Sequence, residues 1–373
     1  KIEKSLTTNI PLNIKLGCDP SRPDLHLGHS VVLKKLSDFQ RLGHNVTLVI
    51  GDFTAMIGDP TGRNKTRPQI DFKTTKDNAK TYIKQASKLL DIKKLRVVYN
   101  SEWLSKLDFL KIISISGKFT VAQFLERDDF NKRYKKGEPI SIHEFMYPLA
   151  QAYDSVFLRS DIELGGTDQK FNLLLGRDLQ REYELSPQIA IMLPILEGID
   201  GKDKMSKSYD NFIAFNDKPN EMYGKIMSIP DVLLFKYFTL VSNADLKDIE
   251  DFKIMLDTNK TTYRDLKRKL ARDIISIYYD NEKASLAEQN FIDIFVNKKA
   301  PEDIKSVSIK NDMKLIDFIV EEKLINSKSE CKRLIKQSAI KIDDIVVSDI
   351  NLIVKAKSGI VIKVGKRKFI KIA

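Results

Sequence analysis

The sequence is poor in cysteine and histidine and has no long apolar run. Only two cysteines, Cys18 and Cys331, stand in 373 residues, far apart. They make neither a disulfide framework nor a metal-ligand spacing, so no zinc or other metal site is implied and a reducing compartment is expected. No uninterrupted apolar stretch approaches the roughly 20 residues of a membrane span. Residues 1–20 lack the basic-then-apolar layout of a signal peptide, so a cytoplasmic protein without membrane attachment is the expectation. Internal repeats and low-complexity tracts are missing as well, which excludes repeat architectures. What the chain does have is positive charge: 63 Lys plus Arg against 51 Asp plus Glu, a net charge of +12. Such an excess points to a polyanionic partner, nucleic acid first. With 42% apolar residues the chain can bury real cores, in about two to three domains.

Short apolar runs alternate with segments of helical period through about residue 215, the pattern of a parallel sheet wrapped by helices. Strands are expected at Ile14–Gly17, Val46–Gly51, Leu95–Asn100 and Ile189–Leu193, each rich in Val, Ile or Leu and bounded by glycine, proline or polar residues. Between the first two, Val32, Leu36 and Phe39 recur at i, i+4 and i+7, Leu33 widens the stripe, and Gly43 stands where a helix would end. Residues 101–160 are mixed and charge-rich, with Arg127-Asp128-Asp129 among them, and read as an insertion between two half-folds. From about 219 to 297 helical stripes take over, one of Leu233, Leu234, Tyr237 and Leu240 and another of Leu266, Leu270, Ile274 and Tyr278. The polar segment Asn297-Lys298-Lys299-Ala300-Pro301-Glu302-Asp303 reads as a linker. The expected division is therefore an α/β domain over 1–215, a helical domain over 216–300 and a small basic α+β unit over 305–373. Residues 301–373 carry 16 Lys plus Arg and 10 Asp plus Glu, half of the excess charge.

Two of the four histidines, His26 and His29, fall in Leu25-His26-Leu27-Gly28-His29, just after a strand and at the mouth of a helix. Unpaired N–H groups at a helix start suit a phosphate, and Gly28 lets a planar group approach the backbone. Pro20, Ser21, Pro23 and Asp24 shape the turn, with Asp24 or Ser21 available to cap it. The bland alternative is that the histidines only cap or pack the helix. A second group, Lys204-Met205-Ser206-Lys207-Ser208, follows Gly198, Gly201 and Asp203 in a segment without period. Two lysines on such a loop can close over a polyphosphate, although an isolated loop of this kind is ordinarily solvated surface. Tyr147, Gln151 and Asp154 are spaced by four and three residues, which sets them on one helical face as either a solvated stripe or the lining of a polar pocket. Glu163-Leu164-Gly165-Gly166-Thr167-Asp168-Gln169 reads as a glycine turn bearing a carboxylate and an amide.

The histidine turn and the lysine loop, at opposite ends of one alternating β/α region, resemble the two signatures of class I aminoacyl-tRNA synthetases, whose nucleotide-binding domain is of Rossmann type. With Gly51-Asp52-Phe53-Thr54-Ala55-Met56-Ile57-Gly58-Asp59-Pro60, the resemblance narrows to the bacterial tyrosyl-tRNA synthetases, and within them to a second bacterial branch. It runs from about Lys15 to the C-terminus. The resemblance implies activation of L-tyrosine by ATP, with Mg²⁺ held chiefly by phosphate oxygens and no tightly bound cofactor. Transfer of the tyrosyl group to the terminal adenosine of its tRNA follows, by a homodimer that binds tRNA across both subunits. It implies that His26 and His29 bind the phosphates and that Lys204 and Lys207 swing over the pyrophosphate. Met205, Ser206 and Ser208 accompany them, and Gly17, Asp19, Ser21, Gly28, Gly166 and Asp168 line the nucleotide. Asp154 would accept the tyrosine hydroxyl proton, Tyr147 and Gln151 would hold the α-ammonium end with Asp59 behind them, and Gln169 would lie beside the carboxylate. One position departs: Lys15 stands where a better-known branch has a tyrosine that helps read the hydroxyl. Either it points away, or it contacts Asp154 or the substrate oxygen.

In the last unit Lys328, Lys332 and Lys336 recur every four residues with Arg333 beside them, backed by Cys331, Leu334 and Ile335. Short β segments at Ile340–Ile342, Ile345–Val347 and Ile360–Val364 and the alternating Phe369–Ile372 follow, with Lys366 and Arg367 between the last two. This layout resembles the small RNA-binding fold of a ribosomal small-subunit protein. Two rivals stand beside the leading reading: a tryptophanyl-tRNA synthetase, and a non-catalytic RNA-binding protein on a synthetase scaffold. Phosphate contacts from the basic unit would supply affinity for RNA. Deleting residues 305–373 should therefore weaken tRNA charging while leaving adenylate formation nearly intact, as measured by aminoacylation and by ATP–pyrophosphate exchange; equal loss of both would contradict that division of labour.

Overall fold

The computed structural model describes residues 3, 7–8, 10–20, 23–59, 72–297, 306–309, 311–343, 345–356, 359–365 and 368–372. Ser21, most of the expected linker, Lys366 and Arg367 lie outside the described residues. The chain divides into two compact units, Lys1–Ser285 and Leu286–Ala373.

The first unit is built on five parallel strands: β1 (Asn13–Cys18), β2 (Asn45–Ile50), β3 (Leu95–Tyr99), β4 (Ile162–Gly166) and β5 (Ile189–Leu193), in the order β3-β2-β1-β4-β5. Ile14 and Leu16, Val46, Leu48, Val49 and Ile50, and Ile162 and Leu164 are all buried, so apolar side chains fill both faces as a helix-covered sheet requires. β4 was read from the sequence as a turn. Its Gly165 and Gly166 and its buried Glu163 mask the apolar pattern, yet it pairs with both β1 and β5 at the centre of the sheet. The strand order reverses direction between β1 and β4, and the crevice at such a reversal is where open α/β sheets take ligands.

Helix α1 (Leu27–Arg41) links β1 to β2 and buries Leu27, Val31, Leu33 and Leu36. It stops at Gly43, whose φ of +83° suits a residue without a Cβ. Residues 101–160 form five helices, the last being α2 (Ile142–Phe157). A cluster of Ile115, Phe124, Phe130, Leu149, Ala152 and Val156 joins them to Leu175 and Leu179 of α3 (Lys170–Glu182). The charged run that marked this insertion contains a buried bidentate pair, Arg133 to Glu144 at 2.5 and 2.9 Å, which fixes the start of α2. Helices Pro219–Met227, Leu234–Val241, Leu246–Asp257 and Tyr263–Tyr278 follow, and Leu266, Leu270, Ile274 and Tyr278 form the expected apolar stripe, all buried.

Among its described residues the second unit holds the end of helix Asn281–Phe295, a five-stranded and a two-stranded sheet, and the helices Leu315–Glu321 and Lys328–Lys336, with a core that includes Phe318, Ile319, Cys331, Ile335, Ile362 and Ile370. Helix Lys328–Lys336 buries Cys331 and Ile335 and exposes Lys328, Lys332, Arg333 and Lys336. Lys328 is paired with Asp317 at 2.8 Å and Arg333 lies 3.7 Å from Glu330. The strands Ser306–Val307, Met313–Lys314 and Ile353–Val354 were not anticipated, because two residues are too few to display a period.

Candidate active site

A cavity of about 250 Å³ opens at the β1/β4 reversal. Its lining includes Gly17 near the end of β1 and Asp19 just after it, Gly51, Thr54 and Asp59 after β2, Asn100 after β3, His29 from α1, Tyr147, Gln151 and Asp154 from α2, Gly166 at the end of β4 and Gln169 after it. A Cβ on Gly51 would fall 1.9 Å from Asp19 Oδ1 and 2.3 Å from Thr54 Oγ1, so glycine alone fits beside them. His26, Gly28, Asp168 and the loop Lys204–Ser208 lie outside this lining.

The histidine turn and the lysine loop nevertheless meet. Backbone N–H groups of Leu27 and Phe215 donate to Ile213 O and Leu25 O, each at 3.0 Å, so a short antiparallel bridge joins residues 25–27 to 213–215. The loop is fixed at its other side by Met205 N to Leu196 O at 2.9 Å. Met205 is buried, and its Cβ would lie 3.6 Å from a Cβ placed on Gly28. Lys207 Nζ pairs with Asp24 at 3.0 Å and Lys204 Nζ lies 3.4 Å from Asp168, so each ammonium rests on a carboxylate. Asp24 thus serves the loop and not the helix: the N-cap of α1 is His26, with extended backbone, and His29 Nδ1 accepts from His26 N at 3.2 Å. Ser206 accepts from Ser208 N at 3.2 Å, and its own N–H donates to Asn211. The His26 and His29 rings lie 3.9 Å apart. Burial, followed by the charges of His29, Lys207 and Lys204, holds the His26 imidazole well below its ordinary pKa. His26 is therefore neutral near pH 7, a hydrogen-bond donor or acceptor and not a proton reservoir.

The floor of the cavity is a hydrogen-bonded network. Tyr147 OH donates to Asp19 Oδ2 at 2.9 Å, and Thr54 Oγ1 donates to Asp19 Oδ1 at 2.8 Å. Asn100 Nδ2 bonds Thr54 at 3.1 Å and Asp154 at 3.3 Å, while Trp103 Nε1 donates to Asp154 at 2.8 Å. Gln169 Nε2 donates to Asp59 at 3.0 Å, and Asp59 lies 3.5 Å from the buried Arg127. Lys15 lies outside the cavity lining. Its ammonium pairs with Glu163 at 2.9 Å, and both side chains are about 98% buried or more. Glu163 also accepts from Gln151 Nε2 at 3.1 Å and from Ser155 at 3.1 Å.

These features have relatives. A family model described as tRNA synthetases class I (W and Y) matches residues 7–296, and one described as Tyrosine–tRNA ligase SYY-like C-terminal domain matches 296–372. A tyrosine–tRNA ligase of Carboxydothermus hydrogenoformans is 51% identical over the whole chain and 92% of its own length. One of Thermotoga maritima is 51% identical over 97% of this chain and 90% of its own. The chain belongs to the tyrosine–tRNA ligase family. The tryptophan branch of the same class is not favoured, since full-length relatives carry the tyrosine name. A solved tyrosyl-tRNA synthetase of Archaeoglobus fulgidus shares the fold, with a TM-score of 0.63 at 23% identity over 77% of this chain and 93% of its own.

For this family member, sequence reasoning missed the pairing of Lys15 with Glu163, Asn100 and Trp103 under Asp154, and Arg127 behind Asp59. Charge within a strand was the one available signal, at Lys15 and Glu163. Burial raises the Asp154 carboxyl from 3.8 to about 7, against the opposing pull of the Lys15 charge and of the Trp103 and Asn100 hydrogen bonds. Between those two values the folded state binds more protons than the unfolded one, so this group's contribution to stability falls as pH rises from about 4 to about 7 and is level above. Asp154→Asn has no proton to lose. Urea unfolding from pH 4 to 8 should show the variant gaining on the wild type as pH rises; a pH-independent difference would mean that Asp154 ionises as it does in water.

Proposed function

We propose that this tyrosine–tRNA ligase runs its reaction by in-line attack of the tyrosine carboxylate on the α-phosphorus of ATP, bound as its Mg²⁺ complex. Pyrophosphate leaves, and the tyrosyl group then passes to the 3′-terminal adenosine of the tRNA. No protein nucleophile is needed. The chain's task is to hold two reactants in line and to neutralise the charge that moves to the leaving group. His26 and His29, with Lys204 and Lys207, meet that charge. Gly17, Asp19, Gly28, Gly166 and Asp168 border the adenylate, and Met205, Ser206 and Ser208 shape the loop that closes on it.

Asp154 reads the tyrosine hydroxyl. A pocket that offers this buried carboxylate rejects phenylalanine, because the carboxylate would be left without its partner. Tyr147, Gln151 and Asp59 serve the α-ammonium end, and Gln169 the carboxylate. The observation that supports the reading is the backbone bridge between residues 25–27 and 213–215, which joins the histidine turn to the chain leaving the lysine loop, with His29 lining the same cavity as Asp154.

The reading includes three working parts, 1–215, 216–300 and 305–373, the last binding tRNA through Lys328, Lys332, Arg333, Lys336, Lys366 and Arg367 in the cytoplasm. It also includes a homodimer. The exposed apolar side chains Phe109, Leu110, Ile113 and Val121 support that assembly.

Amino-acid-dependent ATP–pyrophosphate exchange tests the reading. Tyrosine should support exchange; tryptophan-dependent exchange, or none, would overturn it. Lys207→Ala should lower the adenylation rate by roughly a hundredfold while changing tyrosine affinity little, in pre-steady-state kinetics against equilibrium binding. An unchanged rate would remove Lys207 from the chemistry.

A further inference from the structure

Most charged side chains in this protein face solvent, and the Lys15–Glu163 pair does not. The two residues are direct partners across the parallel β1–β4 ladder, behind the cavity-lining Gln151, and each is about 1% exposed. A buried ion pair offers little stability over apolar residues of the same size, so its presence calls for a use. The geometry supplies one. Lys15 Nζ donates to Glu163 Oε1 at 2.9 Å and reaches the Gln151 carbonyl at 3.4 Å. Glu163 Oε1 in turn accepts from the Gln151 side-chain amide at 3.1 Å, and Oε2 accepts from Ser155 at 3.1 Å and from Gln188. Gln151 is therefore held at both backbone and side chain, and Ser155 fixes the next turn of α2. Asp154 lies between these two anchored residues and also lines the cavity.

We propose that Lys15 is a positioning and specificity-determining residue for tyrosine. Clamped to Glu163 beneath the cavity, it sets the depth of the α2 face that bears Gln151 and Asp154, and its positive charge keeps Asp154 able to meet the substrate hydroxyl as an anion. This rests on the reading of the cavity as the tyrosine site. Where another branch of the family spends a phenol on the hydroxyl directly, this chain acts through the field and the scaffold behind the carboxylate. The charged groups that act on Asp154 from the neighbouring strands are Lys15 on β1, which favours its anion, and Glu163 on β4, which opposes it more weakly. Trp103 and Asn100, both uncharged, donate to it. Removing the two charges together withdraws a net stabilisation of the anion; removing Glu163 alone leaves Lys15 unopposed.

The test is tyrosine-dependent ATP–pyrophosphate exchange on the full chain, with kcat/KM for tyrosine followed from pH 5.5 to 9. Lys15→Met/Glu163→Gln replaces the pair by neutral side chains of similar size. Its tyrosine kcat/KM should fall by roughly tenfold or more at pH 7, through KM, with the KM for ATP changed less than about twofold. Its acid limb should move to higher pH. Glu163→Gln alone should move the limb the opposite way, and Lys15→Arg, which keeps the charge, should restore most of the preference for tyrosine over phenylalanine. Opposite shifts are not expected of a pair that merely stabilises the fold. A wild type that exchanges with tyrosine, beside variants with unaltered tyrosine KM and limb, overturns the proposal alone; a wild type without tyrosine exchange overturns the reading beneath it. Should the double variant fail to fold, the limb of Glu163→Gln decides: a shift to lower pH sustains the proposal and an unmoved limb ends it.

Discussion

Two backbone hydrogen bonds, Leu27 N to Ile213 O and Phe215 N to Leu25 O, close the molecule's functional circuit. They tie the turn after β1 to the chain that leaves the lysine loop, although four of the five strands and the helical insertion lie between those segments in sequence. Backbone pairing of this kind is indifferent to side-chain identity, which leaves His26 and Gly28 free for other work. The β1/β4 reversal supplies the crevice, and the bridge decides what stands at its lip.

Beneath that lip the site is assembled from small polar contacts, none of them strong alone. Tyr147, Asp19, Thr54, Asn100 and Asp154 form one chain of hydrogen bonds. Such a chain fixes each member through its neighbours, and a missing member leaves an unsatisfied group behind. The demand for glycine at position 51 follows directly, because Asp19 and Thr54 occupy the space that its side chain would need.

Much of this was legible in the sequence. Strands announced by Val, Ile and Leu, the stripe along α1 and the stripe of Leu266, Leu270, Ile274 and Tyr278 all correspond to elements of the structure, because burial on one or both faces leaves a period in the residues. The shared helical face of Tyr147, Gln151 and Asp154 was legible for the same reason. β4 was not, since Gly165 and Gly166 and the carboxylate that meets Lys15 both erase a strand's apolar signature. Arg127 and Arg133 were hidden differently. They sit in runs of charge that read like any solvated surface, and only the packing of the insertion shows them to be buried and paired. Partnership between distant charges is a property of the fold and leaves no local mark in the chain.

Lys204 and Lys207 rest against Asp168 and Asp24, and under the proposed function this arrangement bears on how the cycle would turn over. Each ammonium already has a carboxylate partner, so an incoming triphosphate would exchange one anionic partner for another. The same aspartates compete for the ammonium groups once pyrophosphate has been cut free. Release is then a displacement, in which the protein's own carboxylates reclaim what the leaving group held.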